Sequence, residues 1–164
     1  MSTKFWTCAT SDAVRPGVLM SRIRLLVALL WVGSLWTVGY VVAPTLFATL
    51  ADRVLAGTVA GSLFRVEAWL SLACALVLSV LLWRALAGEA MERRLLLRLT
   101  AGMALCTLIG YFALQPFMAA LREAAAGGVM QSAAKMQFGF LHGAASGIYL
   151  IQSLLGGWLT LKIR

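Results

Sequence analysis

The sequence predicts an all-α membrane protein, a four-transmembrane-helix antiparallel bundle with short interfacial helices in its two outer loops. Three observations lead there. Of the 164 residues, 62% are apolar and only 12% charged, with a mean hydropathy of +0.90. A soluble domain carries ~45–50% apolar and ~25% charged residues, so this chain lacks the polar surface to cover a core in water. A soluble globular enzyme, a disordered chain and a collagen-like repeat are excluded on that ground. The second observation is the spacing of the charges, and the third is the uneven distribution of Lys and Arg between successive loops.

A membrane helix needs ~20 mostly apolar residues. There are 27 uncharged residues between Arg24 and Asp52, 23 between Arg98 and Arg122, and 26 between Lys135 and Lys162. These gaps hold the first, third and fourth spans. The 16 uncharged residues between Glu67 and Arg84 are short for a crossing, so the second span is expected to begin near Leu63 and to take Glu67 into the membrane. The spans are thus placed at about 25–47, 63–86, 97–119 and 138–161 in a domain covering 20–164. The apolar run of the first span is longer than the ~7–15 residues of a signal-peptide core, so that span is read as retained. Residues 1–19 are polar and mixed, whereas Met20-Ser-Arg-Ile-Arg24 runs straight into Leu25. The segment 1–19 is expected to be a cytoplasmic extension, with Met20 the native start.

Ten of the fourteen Lys and Arg residues flank one side, in the N-terminal segment, the middle loop and the C-terminus; Arg53, Arg65, Arg122 and Lys135 occupy the other. The positive-inside rule then makes both termini cytoplasmic, in a bacterial-type inner membrane. The net charge of +8 is accounted for by this flanking pattern, with no folded basic domain to bind nucleic acid. Of the three cysteines, Cys8 lies in the tail, and Cys74 and Cys106 lie inside spans as small apolar residues, so no disulfide framework is expected.

Helices in lipid associate at small residues. Gly139, Gly143 and Gly147 recur every four residues along the fourth span, and Gly102, Cys106 and Gly110 do so along the third. In the first span Gly33, Trp36, Tyr40, Ala43 and Phe47 follow a heptad-like line. These stripes are expected to pack the bundle, and the Gly139/Gly143/Gly147 face is also the surface on which a homo-oligomer would form. Pro44 followed by Leu50–Arg53 and Gly57 matches Pro116 followed by Leu121–Glu123 and Gly127, which suggests a duplicated hairpin related by an axis along the membrane normal.

The pieces Ala43-Pro44-x-x-Phe47, Ala56-Gly57-x-x-Ala60-Gly61-x-x-Phe64 and Phe138-Gly-Phe-Leu-His142-Gly143 resemble the transmembrane-protein-205-like family, domain of unknown function 4149. The resemblance covers roughly residues 22–160. It implies a four-helix integral membrane protein of unsettled activity, similar at the level of fold to copper-resistance-D-like and membrane protoporphyrinogen oxidase proteins.

Ionisable groups inside a bilayer are costly and mark candidate sites. Glu67 and His142 are each expected about four residues in from the outer ends of their spans, at a common depth with Tyr40 and Gln115. Together the four would form an outer polar layer, either as a Glu67–His142 pair that pins helices or as a site for an ion or small ligand. No catalytic motif appears, so a non-enzyme without cofactor is the primary expectation. Copper is the alternative, through His142 with Met118, Met130 and Met136. Haem is the other alternative, although the chain has one His where axial ligation commonly uses a second ligand.

Overall fold

A computed structural model describes residues 16–85, 90–125 and 132–163. The predicted segment 1–19 therefore lies largely outside the described residues, as do Cys8 and Met130. Four long helical rods, Gly17–Thr49, Arg53–Arg84, Ala90–Ala124 and Ser132–Lys162, are each long and apolar enough to cross a membrane. They run up and down in sequence order. Each packs on its neighbour in the chain, and the first closes the ring against the fourth.

The second rod is the single helix α3 (Arg53–Ala85) and the fourth the single helix α6 (Ser132–Lys162), whereas the first and third are composite. In the first, α1 (Pro16–Trp36) passes into a π-helical segment, Thr37–Val42, and then into α2 (Ala43–Thr49). In the third, α4 (Ala90–Thr107) passes into a π-helical segment, Leu108–Leu114, and then into α5 (Gln115–Ala125). Each π segment ends two residues before a proline, Pro44 or Pro116. Proline has no N–H, and its ring collides with the carbonyl four residues back. Widening the turn relieves that clash: the Ala43 N–H reaches back five residues to the Val38 carbonyl.

The rods begin six to ten residues before the expected spans, and only the third also ends well beyond its own. Charge gaps measure the stretch that hydrocarbon tolerates, but a helix can continue past them into the headgroups. α3 starts at Arg53, ten residues before the expected Leu63, because Asp52 caps it: its Oδ1 accepts from the amides of Val54 (2.8 Å) and Leu55 (3.2 Å). At 1.5 Å per residue α3 is ~50 Å long, against ~30 Å of hydrocarbon. The short interfacial helices expected in the two outer loops do not stand as separate elements among the described residues: α2 and α5 continue the first and third spans, and residues 53–62 are already the start of α3. Only residues 50–52 separate α2 from α3.

Packing is concentrated in the half of the bundle that holds the chain termini. There Ala28, Trp31, Val32, Cys74, Ala75, Leu78, Leu82, Leu96, Leu99, Met103, Leu159 and Ile163 form one buried cluster. Neither π segment, nor α2, contains a buried residue.

The glycines that join the helices are partly the expected ones. Gly102 packs beneath Leu155 and Gly110 beneath Ile148. Gly139, Gly143 and Gly147 have nothing within 4 Å of where a Cβ would stand. Their stripe faces outward, so the prediction that it packs this bundle is corrected. The fourth span turns inward through Gln152, Ser153, Gly156 and Leu159 instead. Gly156 lies so close to Val32 and Met103 that a Cβ would sit 2.9 Å and 3.1 Å from them. Gly33 in the first span is likewise open, and the buried line of that helix is Ala28, Trp31, Val32 and Leu35.

Candidate functional site

Glu67 sits on the inward face of α3 and is only 4% exposed. It is fourteen residues from the Arg53 end of the helix, the end away from Pro16 and Ile163, ~21 Å along a rod of ~50 Å, which puts it near mid-span and not at the rim. The Ser71 hydroxyl, one turn along the same helix, donates to Glu67 Oε1 at 3.2 Å. That hydroxyl in turn accepts from the Trp31 indole Nε1 of the first span at 2.8 Å. Because Trp31 supplies the donor, the Ser71 proton is left to point at the carboxyl. The Ser34 hydroxyl has two acceptors in reach, the Trp31 carbonyl at 2.9 Å and Glu67 Oε1 at 3.4 Å. Both hydroxyl contacts to Glu67 fall on one carboxyl oxygen, Oε1.

Tyr149 of the fourth span closes the next layer outward. Its hydroxyl donates to the Leu35 carbonyl at 2.6 Å, where the first span passes into its π segment. Its ring meets Tyr40 and Phe64 edge to face, with centroids 6.1 Å and 5.6 Å apart. The ring lies against Gly39, where any Cβ would overlap it. Tyr40 donates to Ser153 Oγ at 2.9 Å, and Gln152 Nε2 donates to Thr107 Oγ1 at 3.0 Å. Every span therefore contributes to a polar girdle at mid-bundle, immediately above the close-packed cluster.

The four residues predicted to share one outer layer do not do so. Glu67 lies deepest. Tyr40 borders its layer through Tyr149, although its own bond goes to the fourth span. Gln115 is displaced outward, with its Nε2 against Gly61, 3.3 Å from where a Cβ would stand. His142 is exposed and stacks on Phe138 of its own helix, with ring planes 4° apart. It is seven residues, ~10 Å and two turns, along α6 from Tyr149, away from the level of Glu67. The expected Glu67–His142 pair is therefore absent among the described residues. Equal depth fails because it counts from span starts near Leu63 and Phe138, whereas α3 begins ten residues earlier at Arg53 and α6 six residues earlier at Ser132.

Sequence reasoning missed Ser34, Ser71, Trp31 and Tyr149. Ser71 is one helical turn from Glu67, and that i, i+4 spacing was a readable signal. Trp31 and Tyr149 carried none, since Trp and Tyr in a membrane helix commonly mark an interface belt.

Arg122 and the Ala56-Gly57-x-x-Ala60-Gly61 piece complete the end of the bundle away from Pro16 and Ile163. Ala56 and Ala60 are buried against neighbouring helices. The two glycines leave space into which Arg122 reaches from the third span, donating from Nη1 to the Gly57 carbonyl at 2.8 Å. Among the described residues no group of three or more His, Cys, Asp or Glu side chains is placed to hold a metal ion.

No curated protein and no solved structure matches this chain. A family model does match, and its match takes in Trp31, Ser34, Glu67, Ser71, Gln115 and Arg122 but not the fourth span. With residues 26–127 covered, the chain belongs to the family defined by a domain of unknown function, DUF4149.

Proposed function

We propose that this integral membrane protein is not an enzyme and that its Glu67 centre binds a small cation, the proton included, reached from the outer side. The observation that carries the reading is a carboxyl near mid-span whose partners are neutral hydroxyls. Ionisable groups held at that depth mark ion or proton sites in membrane proteins. The close-packed apolar cluster on the side of the termini favours entry from the opposite end. Orientation in the reading follows the Lys and Arg asymmetry, with both termini cytoplasmic and the loop between α2 and α3 outside, in an inner-type membrane.

Trp31 gives the test a native reporter, because its indole is two hydrogen bonds from the carboxyl. Titration of the purified protein in nanodiscs with sodium or potassium chloride against choline chloride, and with acid, should change tryptophan fluorescence saturably. The change should vanish in Glu67→Gln and in Trp31→Phe. An equal response in Glu67→Gln would overturn the reading. The copper- and haem-linked resemblance supplies the competing function, and a Soret band or one equivalent of copper on the purified protein would favour it. For partners, the reading keeps the bilayer and assigns the open Gly139/Gly143/Gly147 face to a second copy of the chain.

A further inference from the structure

We propose that the outer ends of the first and third spans form a gate over Glu67, hinged at the two π-helical segments and latched by Arg122 on the Gly57 carbonyl. The proposal rests on Glu67 as the ligand-binding group and adds how that group is reached. Going inward from the outer end, one face of α3 presents Gly57, Gly61, Phe64, Glu67 and Ser71. The tips of both composite rods converge on the first of these. Phe47 Cζ lies 4.0 Å, and Arg122 Nη1 3.4 Å, from where a Gly57 Cβ would stand. Gln115 covers the second, Gly61. Gly57 is ten residues from Glu67, so the meeting point stands ~15 Å above the carboxyl.

The hinge positions are independent of the latch. Both rods carry a π segment at the same offset from a proline, and both segments lie directly beneath the converging tips. Proline deletes a backbone donor and π turns replace the α ladder there, so each rod is weakest in bending at that place. No residue of either π segment is fully buried, so the hinges are less closely packed than α1 and α4 beside them, and the contacts a swing must break are few and specific: Tyr149 on Gly39, Tyr40 on Ser153 and Ile148 on Gly110. The latch is releasable by construction. Arg122 donates to two carbonyl oxygens, Gly57 at 2.8 Å and Met118 at 3.4 Å, and only the Gly57 bond crosses between helices. On the other side of Glu67, Leu78, Leu82, Leu99, Met103 and Leu159 close the bundle. A swing at the first π segment would also carry Gly39 and Tyr40 away from the Tyr149 ring that covers Glu67, so opening would expose the carboxyl to one side of the membrane only.

The test reads access to Glu67 and needs no bound cation, so it can succeed where the cation reading fails. The full chain in nanodiscs is treated with a water-soluble carbodiimide and glycinamide, and modification of Glu67 is followed by mass spectrometry relative to exposed Glu123. Glu67→Gln provides the blank. Arg122→Ala should raise the rate by about tenfold, the population change expected when one charge-assisted hydrogen bond holds a two-state element shut. Reaction of the buried Cys74 thiol with a maleimide should not change. Adding Pro116→Ala, which restores a backbone donor and stiffens the third span, should return the rate toward wild type. If Arg122→Ala folds poorly, Arg122→Gln should give an intermediate rate. An unchanged Glu67 rate, or a parallel rise at Cys74, overturns the gate; a double variant as fast as Arg122→Ala overturns the hinge.

Discussion

At the scale of single residues, the structure separates glycines that admit a neighbour from glycines that face outward. Gly39 is the first kind, since Tyr149 occupies the space a Cβ would need. Gly39→Ala should lower thermal stability in detergent by about 1–3 kcal/mol, the usual cost of overpacking. Gly143 is the second kind, and Gly143→Ala should leave the melting temperature of the monomer unchanged. Equal effects at the two positions would show that the packing of span four on span one is wrong. Tyr149→Phe keeps the ring and removes only the bond to the Leu35 carbonyl. Interhelical polar contacts in membranes average ~0.6 kcal/mol, so that change should be small beside Gly39→Ala.

At the scale of elements, the composite rods carry the prediction. The backbone amides of 108–114 lie in a π segment with no buried residue, and those of 96–103 lie in α4 beside buried Leu96, Leu99, Thr100 and Met103. Hydrogen exchange in nanodiscs should be at least ~10-fold faster in the first group than in the second, because local opening follows packing. Pro116→Ala should narrow the difference. The repeat of π segment and proline in both odd spans also supports the duplicated hairpin that the two prolines suggested. The even spans do not share the resemblance, since α3 carries the carboxyl and α6 carries Tyr149.

At the scale of the whole molecule, two measurements bear on orientation and assembly. Reporter fusions after Arg94 and Arg164 should read cytoplasmic, and one near Gly127 should read outer; an outer reading at Arg94 would break the four-span order. The mass of the detergent-solubilised protein by light scattering should correspond to more than one copy and fall on Gly143→Leu. A wild-type protein that is already monomeric would leave the Gly139, Gly143 and Gly147 face to lipid.

By itself the sequence determined the all-helical class, the four spans and the presence of Glu67 inside the second. Those follow from hydropathy and charge spacing, which belong to each residue regardless of its neighbours. The outer ends of the rods were harder to read, because charge marks where hydrocarbon ends and a capping Asp52 marks where the helix begins. Only the tertiary structure decided that Trp31, Ser34 and Ser71 surround Glu67, that Tyr149 fills the notch at Gly39, and that His142 stands apart. The physical reason is that lipid and bundle interior are both apolar. A helix in water shows its buried face as a hydrophobic stripe, but a helix in a bilayer has no such stripe to read. Which face turns inward is set by the close fit of partners from distant parts of the chain, as at Gly156 against Val32 and Met103.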